Sequence, residues 1–170
     1  MMLLLVAGAA ALVAPGSRPS GAVRCRGAAY DYCVQALGCT AAEATKAEGV
    51  LLPNFAERMT RAQAEERCGW LRSRLDLSDA ELKKVVLLIP TLLSHSVENM
   101  EPKLDWLQTR LDLDEGQLRK FVQRLPAVLG YSVEDNLAPK LEWLQTRLDL
   151  DAAELRKVVM GRPSQLSYSV

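Results

Sequence analysis

A proline recurs along this chain with a nearly constant spacing. The steps between successive copies are 37, 36 and 37 residues, for Pro53, Pro90, Pro126 and Pro163. Three tryptophans and three Leu-Asp-Leu triplets keep the same spacing, and a nine-residue block that begins at one tryptophan is repeated unchanged at the next. Sequence periods of roughly 20–50 residues are typical of solenoids and repeat arrays. The chain is therefore predicted to be a stack of copies of one unit, without a central site.

Each unit has the pattern of two helices followed by a short turn. In the middle unit, apolar residues at helical spacing predict a first helix, helix A, over about 98–111. Asp114 and Gln117 form the pattern of a capping box, which predicts a second helix, helix B, over about 114–125. Pro126 should end helix B, because proline cannot donate the next helical hydrogen bond, and a 3₁₀ turn is expected there. The predicted fold is an all-α helical-repeat solenoid of about 36-residue repeats.

The same pattern divides the chain into three parts. Residues 70–170 hold three repeats, the last one truncated, and residues 30–69 hold a degenerate repeat. Residues 1–29 are predicted to be a targeting presequence, because an apolar, uncharged start is followed by three arginines before the first acid, Asp31. This order resembles the bipartite presequence of complex plastids. We therefore expect a plastid protein, with a mitochondrial address or an incorrectly assigned start codon as the alternatives.

The repeat resembles that of the mTERF family, the organellar transcription termination factors. The resemblance rests on Pro-x-apolar-Leu after helix B, on Leu-Asp-Leu before helix B, and on Ser-Val-Glu-(x)-Asn-x-x-Pro-Lys-Leu at the start of helix A. It covers residues 70–170 closely and residues 37–69 loosely. It implies a left-handed, mTERF-like superhelix with a nucleic-acid-binding groove, acting on DNA or RNA in mitochondria or plastids. It also implies a role in transcription termination, another regulation of transcription, or RNA metabolism.

Charge limits how such a protein could bind nucleic acid. The net charge is zero, and residues 70–170 hold 14 basic against 15 acidic residues, a difference of −1. Phosphate contacts need a basic surface. Binding therefore requires that the basic residues be sorted onto one face. A scaffold for protein partners is the alternative that the neutral charge favours, and a truncated fragment of a longer mTERF protein is another.

The chain has no pattern that indicates catalysis or metal binding. The spacings of Cys25, Cys33, Cys39 and Cys68 fit no common metal motif, and we interpret these residues as ordinary thiols. His95 is the only histidine and is expected to lie on the surface. No nucleophile–base pair, phosphate loop or pair of carboxylates stands out. We therefore predict no enzyme, no catalytic residue, no metal or cofactor, no small-molecule substrate, and no membrane association of the mature form.

Two sets of basic residues recur with the repeat and are the candidate nucleic-acid contacts. The first, the helix-A set, flanks the tryptophans and comprises Arg67, Arg74, Lys103, Arg110, Lys140 and Arg147. The second, the helix-B set, comprises Lys83, Lys84, Arg119, Lys120, Arg156 and Lys157. A groove of bases and aromatic rings suits nucleic acid, although the tryptophans are better explained as packing between repeats. Neutralising four helix-A residues (Lys103, Arg110, Lys140 and Arg147) is expected to leave the fold intact.

The helix-B set has a structural alternative, and we favour it over phosphate contact. Asp79–Lys83 and Glu115–Arg119 have the spacing of ion pairs along a solvated helix face.

At the end of the chain, Leu155, Val158 and Val159 are expected to lose their covering helix. Exposed apolar faces of this kind mark interfaces or aggregation sites, so self-association or low stability is expected.

Overall fold

The computed structural model describes residues 27–51 and 59–168, and within these two segments it is helical with no strand. The α-helices are α1 (Ala28–Gln35), α2 (Ala41–Val50), α3 (Arg61–Leu75), α4 (Asp79–Leu88), α5 (Val97–Arg110), α6 (Glu115–Arg124), α7 (Ala138–Arg147) and α8 (Ala152–Gly161). Short 3₁₀ turns follow three of them, at Pro90–Ser94, Pro126–Gly130 and Pro163–Ser167. The predicted all-α repeat fold is confirmed, and helices A and B of the middle unit end within a residue or so of their predicted bounds.

The units follow the predicted order along the chain. Helices α3, α5 and α7 are helices A, and α4, α6 and α8 are helices B, each followed by its 3₁₀ turn. Helices α1 and α2 pack on each other in the segment for which a degenerate repeat is predicted, and that assignment stays a prediction. The predicted boundary at residue 70 lies inside α3, and Ala28 and Ala29 already belong to α1. The rest of the predicted presequence, residues 1–26, lies outside the described residues.

Capping boxes fix where helices begin. In each box, the side chain at the N-cap accepts a hydrogen bond from the amide three residues later, whose own side chain accepts from the N-cap amide. The N-caps are Thr40, Thr60, Ser78, Asp114 and Asp151. The boxes expected at Ser78, Asp114 and Asp151 are thereby confirmed.

The central aspartate of each Leu-Asp-Leu triplet ends helix A in the left-handed conformation. The φ angles of Asp76, Asp112 and Asp149 are 48°, 49° and 50°. The following leucine then closes the helix; the Leu77 amide, for example, donates to the Arg72 carbonyl at 3.0 Å, as in a Schellman motif. Aspartate tolerates this conformation better than most residues. Gly38, with φ of 60°, holds the equivalent place between α1 and α2.

A one-residue insertion explains why the last step, from Pro126 to Pro163, is 37 residues and the step before it is 36. The third unit has an extra residue between Ser132 and Asn136 compared with the second unit. The structure absorbs it in a π-helical turn, Val133–Leu137, in which the Leu137 amide donates to the Ser132 carbonyl at 3.1 Å. A π turn accommodates one more residue than an α-helical turn. Leu137 consequently keeps the buried position that Met100 holds in the second unit.

Leucines on the inner faces of both helices, with aliphatic residues of the 3₁₀ turns, form one continuous core. Phe121 is its largest fully buried side chain and lies in α6. Leu118 and Val122 are equally buried on the same helix face. The apolar stripes predicted for helices A and B are therefore the core of the solenoid.

The predicted exposure of the last helix B is wrong. Leu155 and Val159 are 0% and 1% exposed, and Val158 is half-buried. Helix α8 is covered by its own helix A and by its own 3₁₀ turn. The more exposed position is instead Leu148, which directly follows α7 and is 53% exposed, while its equivalent, Leu111, is 2% exposed. The reason is that the next unit covers helix A, and the described chain has no further unit after α8.

Candidate nucleic-acid interface

The first residue of each helix-A pair ties its helix to the 3₁₀ turn of the same unit. Lys103 Nζ donates to the Leu129 carbonyl at 3.2 Å, and Lys140 Nζ donates to the Leu166 carbonyl at 2.7 Å. Arg67 makes the corresponding bond to Leu93. Lys140 is only 8% exposed. These contacts lie within the fold, so neutralising the helix-A set is now expected to lower stability, whereas the sequence alone suggested little effect on the fold.

The second residue of each helix-A pair bridges to the next unit. Arg74 Nη2 donates to Asp105 Oδ1 at 2.8 Å and to Gln108 Oε1 at 3.0 Å. Arg110 Nη2 donates to Gln145 Oε1 at 2.8 Å. Arg147 is exposed and makes no hydrogen bond or ion pair within the described residues. Of the helix-A set, therefore, Arg147 is the residue most accessible to a ligand.

The first residue of each helix-B pair reaches back to the left-handed turn of the preceding unit. Lys83 Nζ donates to the Gly38 carbonyl at 2.9 Å. Arg119 Nη1 contacts Asp76 Oδ2 at 3.2 Å, and its Nη2 contacts Glu81 Oε2 at 2.6 Å. The remaining contact of this kind joins Arg156 Nη1 to the Asp112 carbonyl and Oδ2, at 2.8 and 3.0 Å.

This link between units was missed at the level of sequence. The expected pairing of Asp79 with Lys83 is wrong, because Asp79 pairs with Arg72 and Lys83 pairs with Glu43. Arg119 pairs with acids of the preceding unit and not with Glu115. The recurring Leu-Asp-Leu triplets could have indicated this link, because their central aspartate marks the turn that the next helix B contacts. Gly38 aligns with that aspartate between α1 and α2.

Glu81 on α4 contacts Arg119 of the next unit, and its hydrogen bonds stabilise its ionised form. Its pKa is lowered to about 2 by hydrogen bonds from the side chain and backbone of Ser78, and then by Arg119 and Gln123. Glu81 therefore stays ionised at neutral pH. The stability that these bonds contribute is present above the ordinary glutamate pKa and is lost as the pH falls towards 2.

The second residue of each helix-B pair is a lysine that faces solvent. Lys84, Lys120 and Lys157 occupy the same position of α4, α6 and α8, and each is exposed. None of the three makes a hydrogen bond or ion pair within the segments that the structure describes. We call Lys84, Lys120 and Lys157 the lysine row. Neighbouring helices B are linked at their ends, since Arg124 Nη1 donates to the Met160 carbonyl at 3.0 Å.

Acids and bases are sorted between the two kinds of helix. On the later helices A, including the π turn, the exposed acids are Glu98, Glu101, Asp105, Glu134, Asp135 and Glu142. On helices B the acids lie at the N-terminus, where they cap the helix and complement its dipole. The lysine row lies beyond that first turn. A chain of zero net charge therefore presents mostly acids on the exposed parts of α5 and α7, and a basic row along helices B.

The tryptophans mostly serve packing between units, as the favoured interpretation predicted. Trp70 and Trp106 are half-buried against the core. Trp143 is 47% exposed at the uncovered end of α7. In two of the three units the tryptophan ring is therefore partly covered by the core.

The remaining candidates are structural. His95 is half-buried beside Gly130, and not on the surface as expected; burial lowers its pKa, with Lys103 and Arg67 as further causes. Cys33, Cys39 and Cys68 are buried free thiols, and burial raises the pKa of Cys33 to about 12. Cys25 lies outside the described residues. Across the described ranges, no group of residues could hold a metal ion and no helix is long and apolar enough to span a membrane.

Paired helices followed by 3₁₀ turns define a helical-repeat protein, in which hydrogen bonds and ion pairs join successive units. A model of the mTERF family matches residues 50–170, which is more than two thirds of the chain. The chain therefore belongs to the mTERF family, whose members are nucleic-acid-binding helical-repeat proteins and are generally not enzymes. No curated protein matches the chain.

Proposed function

We propose that this mTERF protein binds the phosphate backbone of nucleic acid through the lysine row and thereby regulates transcription, including its termination, in an organelle. The observation that carries the proposal is the row itself. Three unpaired, exposed lysines occupy one position in three successive helices B. Of the other nine candidate bases, eight form hydrogen bonds or ion pairs with other residues of the protein.

The order of the row suits a polyanion. Successive helices B are joined by side-chain contacts, from Arg119 to Glu81 and from Arg124 to the Met160 carbonyl, so the three lysines follow one another along the solenoid as phosphates do along a nucleic-acid backbone. Contacts to phosphates position a protein without reading sequence. The acids of helices A repel phosphates, which favours one orientation of the nucleic acid on the solenoid.

Binding of the full chain to labelled duplex DNA, single-stranded DNA and RNA tests this proposal. We expect affinity for at least one of them that falls as salt is raised, by about 0.9 in the log–log slope per phosphate contact on duplex DNA. Fluorescence anisotropy at several salt concentrations measures the slope. If the chain shows no salt-dependent binding to any of the three nucleic acids, the proposal is wrong.

A protein scaffold is the second candidate function, favoured by the zero net charge of the chain. Trp143 and Leu148 are apolar residues that are 47% and 53% exposed. If nucleic-acid binding fails, a protein partner that protects Trp143 from fluorescence quenching becomes the leading explanation.

The address remains a proposal that rests on the N-terminal sequence. We propose a plastid, with a mitochondrion as the alternative, because the acid-free segment before Asp31 is typical of transit peptides. A fluorescent fusion of residues 1–35 should enter one of these organelles. A cytosolic signal from a verified start codon would count against an organellar address.

A further inference from the structure

We propose that Asp76 and Asp112 compete with nucleic acid for the arginines beside the lysine row. In the free protein their carboxylates hold Arg119 and Arg156, and on binding they yield these arginines to backbone phosphates. This proposal rests on the proposed function and adds a built-in control of affinity at the same surface.

The first support is position. Arg119 and Arg156 directly precede Lys120 and Lys157 on α6 and α8, so each arginine lies about 100° around the helix from a lysine of the row. The arginine side chains are 30% and 34% exposed. A phosphate held by the lysine is therefore within reach of the neighbouring guanidinium group.

The second support is the exposure of the competing carboxylates. The side chains of Asp76 and Asp112 are 100% and 96% exposed. Ion pairs with such open partners are weak, because water and salt screen them. Arginine binds phosphate through two parallel hydrogen bonds, which are among the stronger polar contacts. A phosphate can therefore replace either carboxylate.

The third support is that the turn does not need the carboxylate. Gly38 occupies the same left-handed position between α1 and α2, and there Lys83 bonds to the backbone carbonyl of the turn, with Glu43 on α2 as its ion-pair partner. Arg156 already bonds to the carbonyl of Asp112. Asp112→Gly should therefore keep the turn and the position of Arg156 while removing only the competing charge.

The test compares the full-length chain with the double variant Asp76→Gly/Asp112→Gly. The double variant should bind the preferred nucleic acid about tenfold more tightly at low salt. Both proteins make the same phosphate contacts in the complex, so the log–log salt slope on duplex DNA should stay close to that of the unmodified chain. Arg119 also contacts Glu81, so Asp112→Gly alone should supply most of the gain.

Asp149→Gly is the matched control. Asp149 adopts the same left-handed conformation, and in the described segments it pairs with no cation. Its replacement changes the net charge and the backbone as Asp112→Gly alone does but frees no arginine, so affinity should rise by less than about twofold. Thermal melts by circular dichroism check that each variant is folded. If a glycine variant is not folded, Asp76→Asn/Asp112→Asn removes the same charges with a residue that tolerates the turn.

The outcomes separate this inference from the proposed function. If the unmodified chain shows no salt-dependent binding, both fail. If the unmodified chain binds and the folded double variant binds no more tightly than Asp149→Gly, the competition is overturned and the lysine row stands. A gain confined to the Asp76 and Asp112 variants supports it.

Discussion

Replacing Phe121 with alanine should lower the free energy of unfolding by about 3–5 kcal/mol. Phe121 is fully buried in α6, in the middle of the three clear units. The loss combines the transfer of the ring out of water with a cavity that the packed helices cannot close. Urea titration followed by circular dichroism measures the change.

The effect should also alter how the chain unfolds. Repeat units are stabilised largely by contacts with their neighbours, so weakening the middle unit should separate unfolding of the first and third units. Trp143→Ala is the matched control, because that aromatic ring is 47% exposed and should cost less than about 1 kcal/mol. Equal losses in the two variants would contradict the assignment of the core.

Lys140→Met should cost about 1.5–3 kcal/mol, a large effect for a lysine. Lys140 is buried, its Nζ donates to the Leu166 carbonyl at 2.7 Å, and it lies 5.5 Å from the centre of the Tyr131 ring. Methionine keeps most of the apolar stem and removes the charged donor. The Leu166 carbonyl then loses the bond that ties the last 3₁₀ turn to α7. Thermal and urea melts of the variant measure the loss.

Lys157→Met makes the same chemical change on the exposed lysine row. It should alter the free energy of unfolding by less than about 0.5 kcal/mol. If Lys140→Met were as mild as Lys157→Met, the structural role given to the helix-A cations would be wrong. The melts therefore distinguish a cation that holds the fold from one that is available to a ligand.

The period of the sequence was sufficient to predict the fold. Helix starts could be predicted because Ser78, Asp114 and Asp151 form capping boxes with residues three positions later. Helix B could be placed because a proline ends it in every unit. These signals are local, and local hydrogen bonding decides them.

The site was harder to predict because it depends on contacts between units. Along the sequence Arg119 and Lys120 look equivalent, yet one contacts Asp76, 43 residues earlier, and the other faces solvent. Helical spacing gives the direction of each side chain but not the neighbour that it meets. The uncovered end was misplaced for the same reason, since the packing of α8 on its own unit is not visible in a single helix pattern.

The helix-A and helix-B sets now have different expected roles. Lys103 and Lys140 bond to carbonyls of their own units, and Arg74 and Arg110 bridge to the next helix A. Changes in these residues should act first on stability. Changes in the lysine row should act first on binding.

The most direct test of the central claim is the salt dependence of nucleic-acid binding by the triple variant Lys84→Gln/Lys120→Gln/Lys157→Gln. Its matched control is Glu98→Gln/Glu101→Gln/Glu142→Gln, which neutralises the same number of exposed charges on helices A. We predict that the lysine variant stays folded, binds every nucleic-acid sequence more weakly and loses roughly 0.9 of slope on duplex DNA per lysine. An unchanged affinity and an unchanged slope in the folded lysine variant would contradict the claim.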